Sequence, residues 1–256
     1  MEYCNWSNLP DIDFAMAEDK EWEIGQFVWT GFDYLGEPTP YEAMPNHSSN
    51  FGIIDLASIP KDRYWLYRSV WRPDVETLHI LPHWTWPGRE GDVTPVFVYT
   101  NYPSAELFVN GESQGMQMKT TESEQSRYRL MWNDVVYRPG EIKVVAYDKY
   151  GNTVAERTVR TAGEPDHLEL SADRTLLSAD GKDLSYVEVS VVDKDGNLCP
   201  EAGNLITAQV KSGRFYGAAN GDPNCLDNMT KPQMHAFKGM ATFIVSKDAD
   251  VEFKLK

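Results

Sequence analysis

Residues 93–115 read VTPVFVYTNYPSAELFVNGESQG, and this stretch sets the fold class. It holds two short runs rich in Val, Phe and Tyr, residues 93–101 and 105–110, the second closing on Asn110-Gly111, a dipeptide that turns tight hairpins. Two further runs with a period of two come next, residues 128–132 and 142–148, with Pro139-Gly140 and Gly151-Asn152 as turn signals. About seven strands between Leu78 and Ala162 is the density of an immunoglobulin-like sandwich. The same stretch contains GESQG, Gly111 to Gly115, which matches the G-x-S-x-G nucleophile elbow with Ser113 as nucleophile. An elbow needs a strand before it and a helix after it. Here an Asn-Gly turn leads into another strand, residues 114–119, so the context supports a hairpin.

Toward the carboxyl end, Gly163-Glu164-Pro165 forms a linker. Beyond it Val187, Val189 and Val191 alternate with Glu188, Ser190 and Val192, and Asp195-Gly196 and Lys238-Gly239 supply turns. Residues 163–256 therefore read as a second sandwich, with no residue-level repeat linking it to the first.

Toward the amino end the period changes. Phe14, Ala17 and Trp22 recur at roughly helical spacing, with Ser7 or Asn8 as cap and Pro10 in the first turn. Residues 25–35, GQFVWTGFDYL, form an almost unbroken apolar run, the pattern of a parallel strand buried on both faces. Lys61 to Trp71 then sets Tyr64, Tyr67 and Trp71 on one helical face before Pro73. A parallel strand needs neighbours on both edges, and nothing else in residues 1–75 supplies one. The expected fold is thus mainly β: two immunoglobulin-like β-sandwiches, residues 76–162 and 163–256, preceded by a helix-strand-helix remnant of a (β/α)8 barrel in residues 1–75.

Composition narrows the function. A formal net charge of -15 repels phosphate backbones and anionic membranes, and no basic stripe offsets it. No run of about 18 uninterrupted apolar residues exists to span a bilayer. Cys4, Cys199 and Cys225 have no C-x-x-C spacing, which argues against a zinc site, and the sequence leaves a Cys199–Cys225 pairing open. His79 and His83 are separated by Pro82 in extended surroundings and do not share a helix face as metal ligands would. His47 lies in a loop able to approach a sugar site.

Asp33 and Glu37 lie where the predicted strand leaves the barrel, the end at which barrels build their sites. A retaining glycosidase needs two carboxyls about 5 to 5.5 Å apart, flanking the sugar from opposite sides. One strand end rarely supplies both, so Asp33 reads as a sugar-hydroxyl or structural hydrogen-bond partner. Trp29 is either part of a packed aromatic core or a platform for the apolar face of a sugar ring.

The strings GQFVWTGFDYLGEPTPY from Gly25, SNFGIIDLASIPKDRYWLYRSVW from Ser49, the run from Leu78 through Gly115, and GAANGDP from Gly217 together resemble the end of family 2 glycoside hydrolases of the bacterial β-galactosidase group. The resemblance covers essentially the whole chain. It implies that residues 25–35 are the eighth barrel strand and that Trp29 contacts the galactosyl ring, with Asp33 and Asn50 as further substrate-binding residues. It also implies a cis peptide at Trp29-Thr30. The family's general acid/base and nucleophile are glutamates in Asn-Glu and Ser-Glu contexts on earlier strands. No matching position occurs here, and Ser123-Glu124 does not correspond.

The resemblance further implies a carboxyl-terminal portion of a retaining enzyme, inert alone; no cofactor is expected, and the Cys and His spacings give no metal site. Its expected partners are a β-galactoside-type glycan reached through the parent enzyme, the catalytic portion of the barrel, and another copy of the chain through the unpaired strand. A periplasmic or extracellular setting is suggested by the resemblance. A different class of function, a carbohydrate-binding or spacer module, would use Trp84, Trp86 and Trp132 as exposed stacking faces.

Overall fold

The computed structural model describes residues 7–39, 41, 43–178, 180, 182–246 and 250–256. Cys4 and the start of the 1–75 segment lie outside these. The chain divides into two compact units, Met1–Trp29 with Lys61–Thr161, and Thr30–Pro60 with Ala162–Lys256. The first 75 residues are therefore shared between two bodies.

In the first unit, α1 (Pro10–Asp19) and α2 (Asp62–Trp71) precede the sheets. Pro10 opens α1, but the capping position is Leu9 with no side-chain cap bond; Asn8 instead donates to Asp13 Oδ1 at 3.1 Å. Trp22 lies beyond the helix end and is exposed. Phe14 of α1 packs edge-on against Tyr67 of α2 and Tyr128, with ring centroids 5.1 and 5.2 Å apart, an arrangement aromatic quadrupoles favour.

Seven strands come after the helices: β1 (Leu78–Leu81), β2 (Val96–Thr100), β3 (Ser104–Val109), β4 (Glu112–Met118), β5 (Arg129–Trp132), β6 (Glu141–Tyr147) and β7 (Thr153–Arg160), with the short α3 (Glu124–Tyr128) before β5. They form two antiparallel sheets, β1-β2-β5 and β4-β3-β6-β7. Val96, Val98, Leu130 and Trp132 of one sheet meet Leu107, Val109, Ile142 and Val144 of the other in a single core, as the period-two pattern requires. Helix α1 is tied to this sandwich by Arg129, whose guanidinium holds both oxygens of the buried Asp11. Burial pushes the Asp11 carboxyl up, and Arg129 opposes that shift. A planar guanidinium suits such two-point contact.

The second unit repeats the plan with β8 (His167–Ala172), β9 (Leu184–Val192), β10 (Leu205–Ser212), β11 (Phe215–Ala219), β12 (Gln233–His235), β13 (Met240–Ser246) and β14 (Asp250–Leu255). The sheets are β12-β10-β14 and β11-β13-β9-β8, and Val189, Val191, Ile206, Met234, Ala241 and Phe243 fill the space between them. Cys199 and Cys225 are free thiols, so the pairing left open by sequence does not form. Cys225 instead lies against Met234 Sδ at 3.9 Å.

The two sandwiches, without a residue-level repeat in sequence, share one local turn. Asp148-Lys149-Tyr150-Gly151-Asn152 and Asp193-Lys194-Asp195-Gly196-Asn197 make the same turn. In each, the leading aspartate accepts from the amides two and four residues on, at 2.8 and 2.9 Å from Asp148 and at 2.9 Å for both bonds from Asp193. Burial alone would raise Asp193, but N–H donors, including Gly163 and Asn197, overcome it and hold the carboxyl well below the usual range, because they bond the charged form.

The predicted buried strand over 25–35 does not form. Among the described residues this stretch makes only isolated bridges, Phe32 parallel to Ile54 and Leu35 antiparallel to Ser48. Phe27 and Trp29 are 104% and 75% exposed, not buried on both faces. A parallel strand is stabilised by ladders on both sides, and without them the apolar run stays open to solvent.

Candidate functional site

The segment over 30–60 carries most of the residues that sequence singled out. Thr30 N donates to Phe51 O at 3.4 Å, Ile53 N donates to Thr30 O at 3.1 Å, and Asp33 N donates to Ile54 O at 2.9 Å. Asp33 is 8% exposed and its Oδ1 accepts from Gly52 N at 2.8 Å. The approach is tight: a Cβ on Gly52 would stand 2.1 Å from Asp33 N, so no larger residue fits without backbone movement. Asp33 thus works at least partly as a structural clamp. Asn50 is half-buried one residue before Phe51 on the same crossing.

Trp29 belongs to the first unit, whereas Asp33 and Asn50 belong to the second. Its indole is open to solvent, so the packed-core reading is set aside and the ring is available as a stacking face. The peptide bonds that are cis among the described residues are Met44-Pro45 and Leu81-Pro82; Trp29-Thr30 is not one of them. A non-proline cis bond costs about 3–4 kcal/mol and needs packing to enforce it, and the exposed surroundings of Trp29 provide none.

Glu37 is exposed and its carboxylate accepts from the Tyr34 hydroxyl. Asp33 is engaged by Gly52 and Glu37 faces water, so among the described residues these two carboxyls of the segment are not poised as a pair around a sugar. His47 is anchored through its amide, which donates to Pro223 O at 3.1 Å.

The other candidates resolve into structure. Ser113 lies in β4, directly after the turn from β3, and its hydroxyl donates to Glu106; no helix comes after it, and the elbow reading is excluded. His79 meets Asp62 at 2.7 Å and stacks on Trp65, while His83 stacks on Trp86. Among the described residues no group of three His, Cys, Asp or Glu side chains is arranged to hold a metal. Trp84 and Trp132 are 0% and 4% exposed, and Trp86 packs against the first core. Their indole N–H groups donate to the carbonyls of Arg138, Gly115 and His83. The exposed stacking faces expected of a binding module are core residues, because a buried Trp that finds a carbonyl acceptor contributes more as packing.

Sequence reasoning missed a cleft in the second unit. The outer face of β8, β9 and β13 is partly roofed by residues 54–58 and Phe32, leaving a cavity of about 410 Å3. Glu188 lines it, directly opposite Ser171 on β8 and Thr242 on β13, with Tyr186 on the same face. The alternation in residues 187–192 places Glu188 outward, but no local signal announces the roof. Burial, and then repulsion from Asp55, raise the Glu188 carboxyl above its ordinary value.

Comparison with known proteins gives the family context. Residues 168–255 match the model described as glycoside hydrolase family 2 C-terminal domain 5, and residues 91–155 match a domain of unknown function, DUF4982. The chain is 42% identical over 251 residues to a Bacteroides ovatus protein named beta-galactosidase BoGH2A, covering 96% of this chain and 28% of that protein. It is 32% identical over 234 residues to a putative beta-glucuronidase of Formosa agariphila, covering 87% of this chain and 21% of that protein. Among solved structures, a beta-glycosidase from Bacteroides vulgatus superposes with a TM-score of 0.86 at 33% identity, over 96% of this chain and 31% of that one. A glycosyl hydrolase family 2 member from Bacteroides cellulosilyticus gives 0.82 at 30% identity, over 95% of this chain and 36% of that one. The chain spans between about a fifth and a third of the length of these relatives.

Proposed function

We propose that the chain is a carboxyl-terminal portion of a retaining family 2 glycoside hydrolase of β-galactosidase type acting in carbohydrate metabolism, a reading supported by the match of residues 168–255 to the family 2 C-terminal domain 5 and by the Bacteroides ovatus relative. In this reading it contributes accessory sandwiches and one edge of the sugar site, and is inert alone. The observation that carries the glycone is the 42% identity to a protein named as a beta-galactosidase, against 32% to one named as a putative beta-glucuronidase. Double displacement requires an acid to protonate the leaving oxygen and a nucleophile to trap the sugar. The engaged Asp33 and exposed Glu37 support neither role.

Residues 1–75 are proposed to complete a (β/α)8 barrel in the parent enzyme, where neighbouring strands would supply the ladders that residues 25–35 lack. Trp29 would then offer its indole face to the apolar side of the galactosyl ring, with Asp33 and Asn50 as further contacts. No cofactor is required by this chemistry.

Incubating the chain with a chromogenic β-galactoside should give no turnover above buffer. Turnover abolished by Asp33→Ala or Glu37→Ala would overturn the assignment. In the parent-length enzyme, Trp29→Ala should lower kcat/KM for the β-galactoside about 10- to 100-fold, or ~1.4 to 2.7 kcal/mol of transition-state binding. An unchanged kcat/KM, or a preference for the β-glucuronide, would refute the site or the glycone.

A further inference from the structure

We propose that the cleft between residues 54–58 and the outer face of β8, β9 and β13 binds a neutral hexose, with Glu188 accepting from its hydroxyls and the Tyr186 ring against its apolar face. The inference does not rest on the hydrolytic assignment, since every lining residue belongs to the second unit and the property at issue is binding.

Three observations carry it. The cavity of about 410 Å3 falls in the range of small-molecule sites, roughly 300–1,000 Å3, and is held open by construction. Thr242 Oγ1 donates to Ala57 O at 2.7 Å, fixing the roof to the sheet, and Asp55 Oδ1 accepts from the amides of Ala57 and Ile59 at 2.8 and 2.9 Å, fixing the shape of the roof itself.

The second observation is Glu188. Its carboxylate is half-buried, yet no described residue donates a hydrogen bond or ion pair to it. A desolvated carboxylate without a donor is costly, and a hexose brings vicinal hydroxyls that supply donors.

The third is the balance of charge and aromatic surface. Asp55 acts on Glu188 electrostatically, and Asp173 also lines the cleft. The nearby Arg174 is already engaged with Asp173 and Asp183. Such a site repels a uronate and accepts a neutral polyol. No metal-holding cluster occurs among the described residues, which favours hydroxyls over a cation. Tyr186 and Phe32 are partly exposed at the cleft and offer the flat apolar faces that sugar C–H groups pack on.

The test is amide-resolved NMR titration of the full chain with galactose, with glucuronate and with a divalent cation. Galactose should bind in the millimolar range, with shift changes centred on Ser171, Tyr186 and Glu188. Tyr186→Ala and Glu188→Ala should each weaken it about tenfold while amides of β10 and β14 keep their positions. If Glu188→Ala fails to fold, Glu188→Gln serves instead, with galactose weakened and glucuronate no longer excluded. No response to galactose, a response elsewhere, equal affinity in the variants, or stronger binding of glucuronate or the cation would each overturn the proposal.

Discussion

At Glu188, burial and the negative Asp55 act on one carboxyl in the same direction. Its folded pKa lies above the unfolded value, so the folded state holds the proton more tightly. The second unit is then fully stabilised below the ordinary carboxylate range, near pH 4.3, and loses stability as pH rises through the folded pKa. Glu188→Gln removes that loss. The variant is expected to melt a few degrees above the parent at about pH 7, with the difference closing toward about pH 3, as read by thermal denaturation. A variant that melts lower at neutral pH would show that Glu188 has a stabilising donor. A residue held at a cost to stability is what a binding function leaves behind. Gly52 shows the opposite logic: backbone so close to Asp33 N admits no side chain, and the residue is fixed by packing alone.

Among the elements, the stretch between α1 and the crossing at Thr30 is the least expected. Trp22, Ile24, Phe27 and Trp29 are all largely exposed, a density of apolar surface that promotes association. Sedimentation of the chain is expected to reveal self-association that rises with concentration. Changing Phe27 and Trp29 together to Ser should return it to monomer and leave the melting temperature at dilution unchanged, since these side chains are out in solvent in the single chain. A parent chain that stays monomeric at high concentration would sink this. Helix α1 itself is secured differently, through Arg129 on Asp11 and Arg127 on Asp19, the latter at 2.8 and 3.0 Å.

For the molecule as a whole, residues 30–60 belong with the second sandwich although they precede the first. They are held there by Pro223 O on the His47 amide and Ala57 O on Thr242, and Gly221 leaves the space that Asp55 Oδ2 occupies, where a Cβ would stand 2.0 Å from it. A chain ending at Thr161 should therefore be cut by protease within 30–60 while α1, α2 and the first core resist; limited proteolysis with mass spectrometry reads this, and protection of 30–60 would contradict it. The two sandwiches were legible beforehand because their signals are local: Ile142, Val144 and Ala146 point inward by simple alternation, and Asn110-Gly111 and Asp195-Gly196 turn the chain where only turn chemistry permits. The strand over 25–35 misled for the converse reason. Its apolar run states what it would bury, not whether neighbours exist to bury it, and the ladders a parallel strand needs come from distant parts of a chain. For Trp84 and Trp132 the sequence left a stacking face and a buried role both open, since composition does not tell one from the other. By itself the sequence determined the β architecture and the family likeness, which rest on short-range periodicity and contiguous motifs. Only the tertiary structure decided which acids are clamped, which tryptophans are open and where a cleft lies, because burial is set by segments that meet across long stretches of chain.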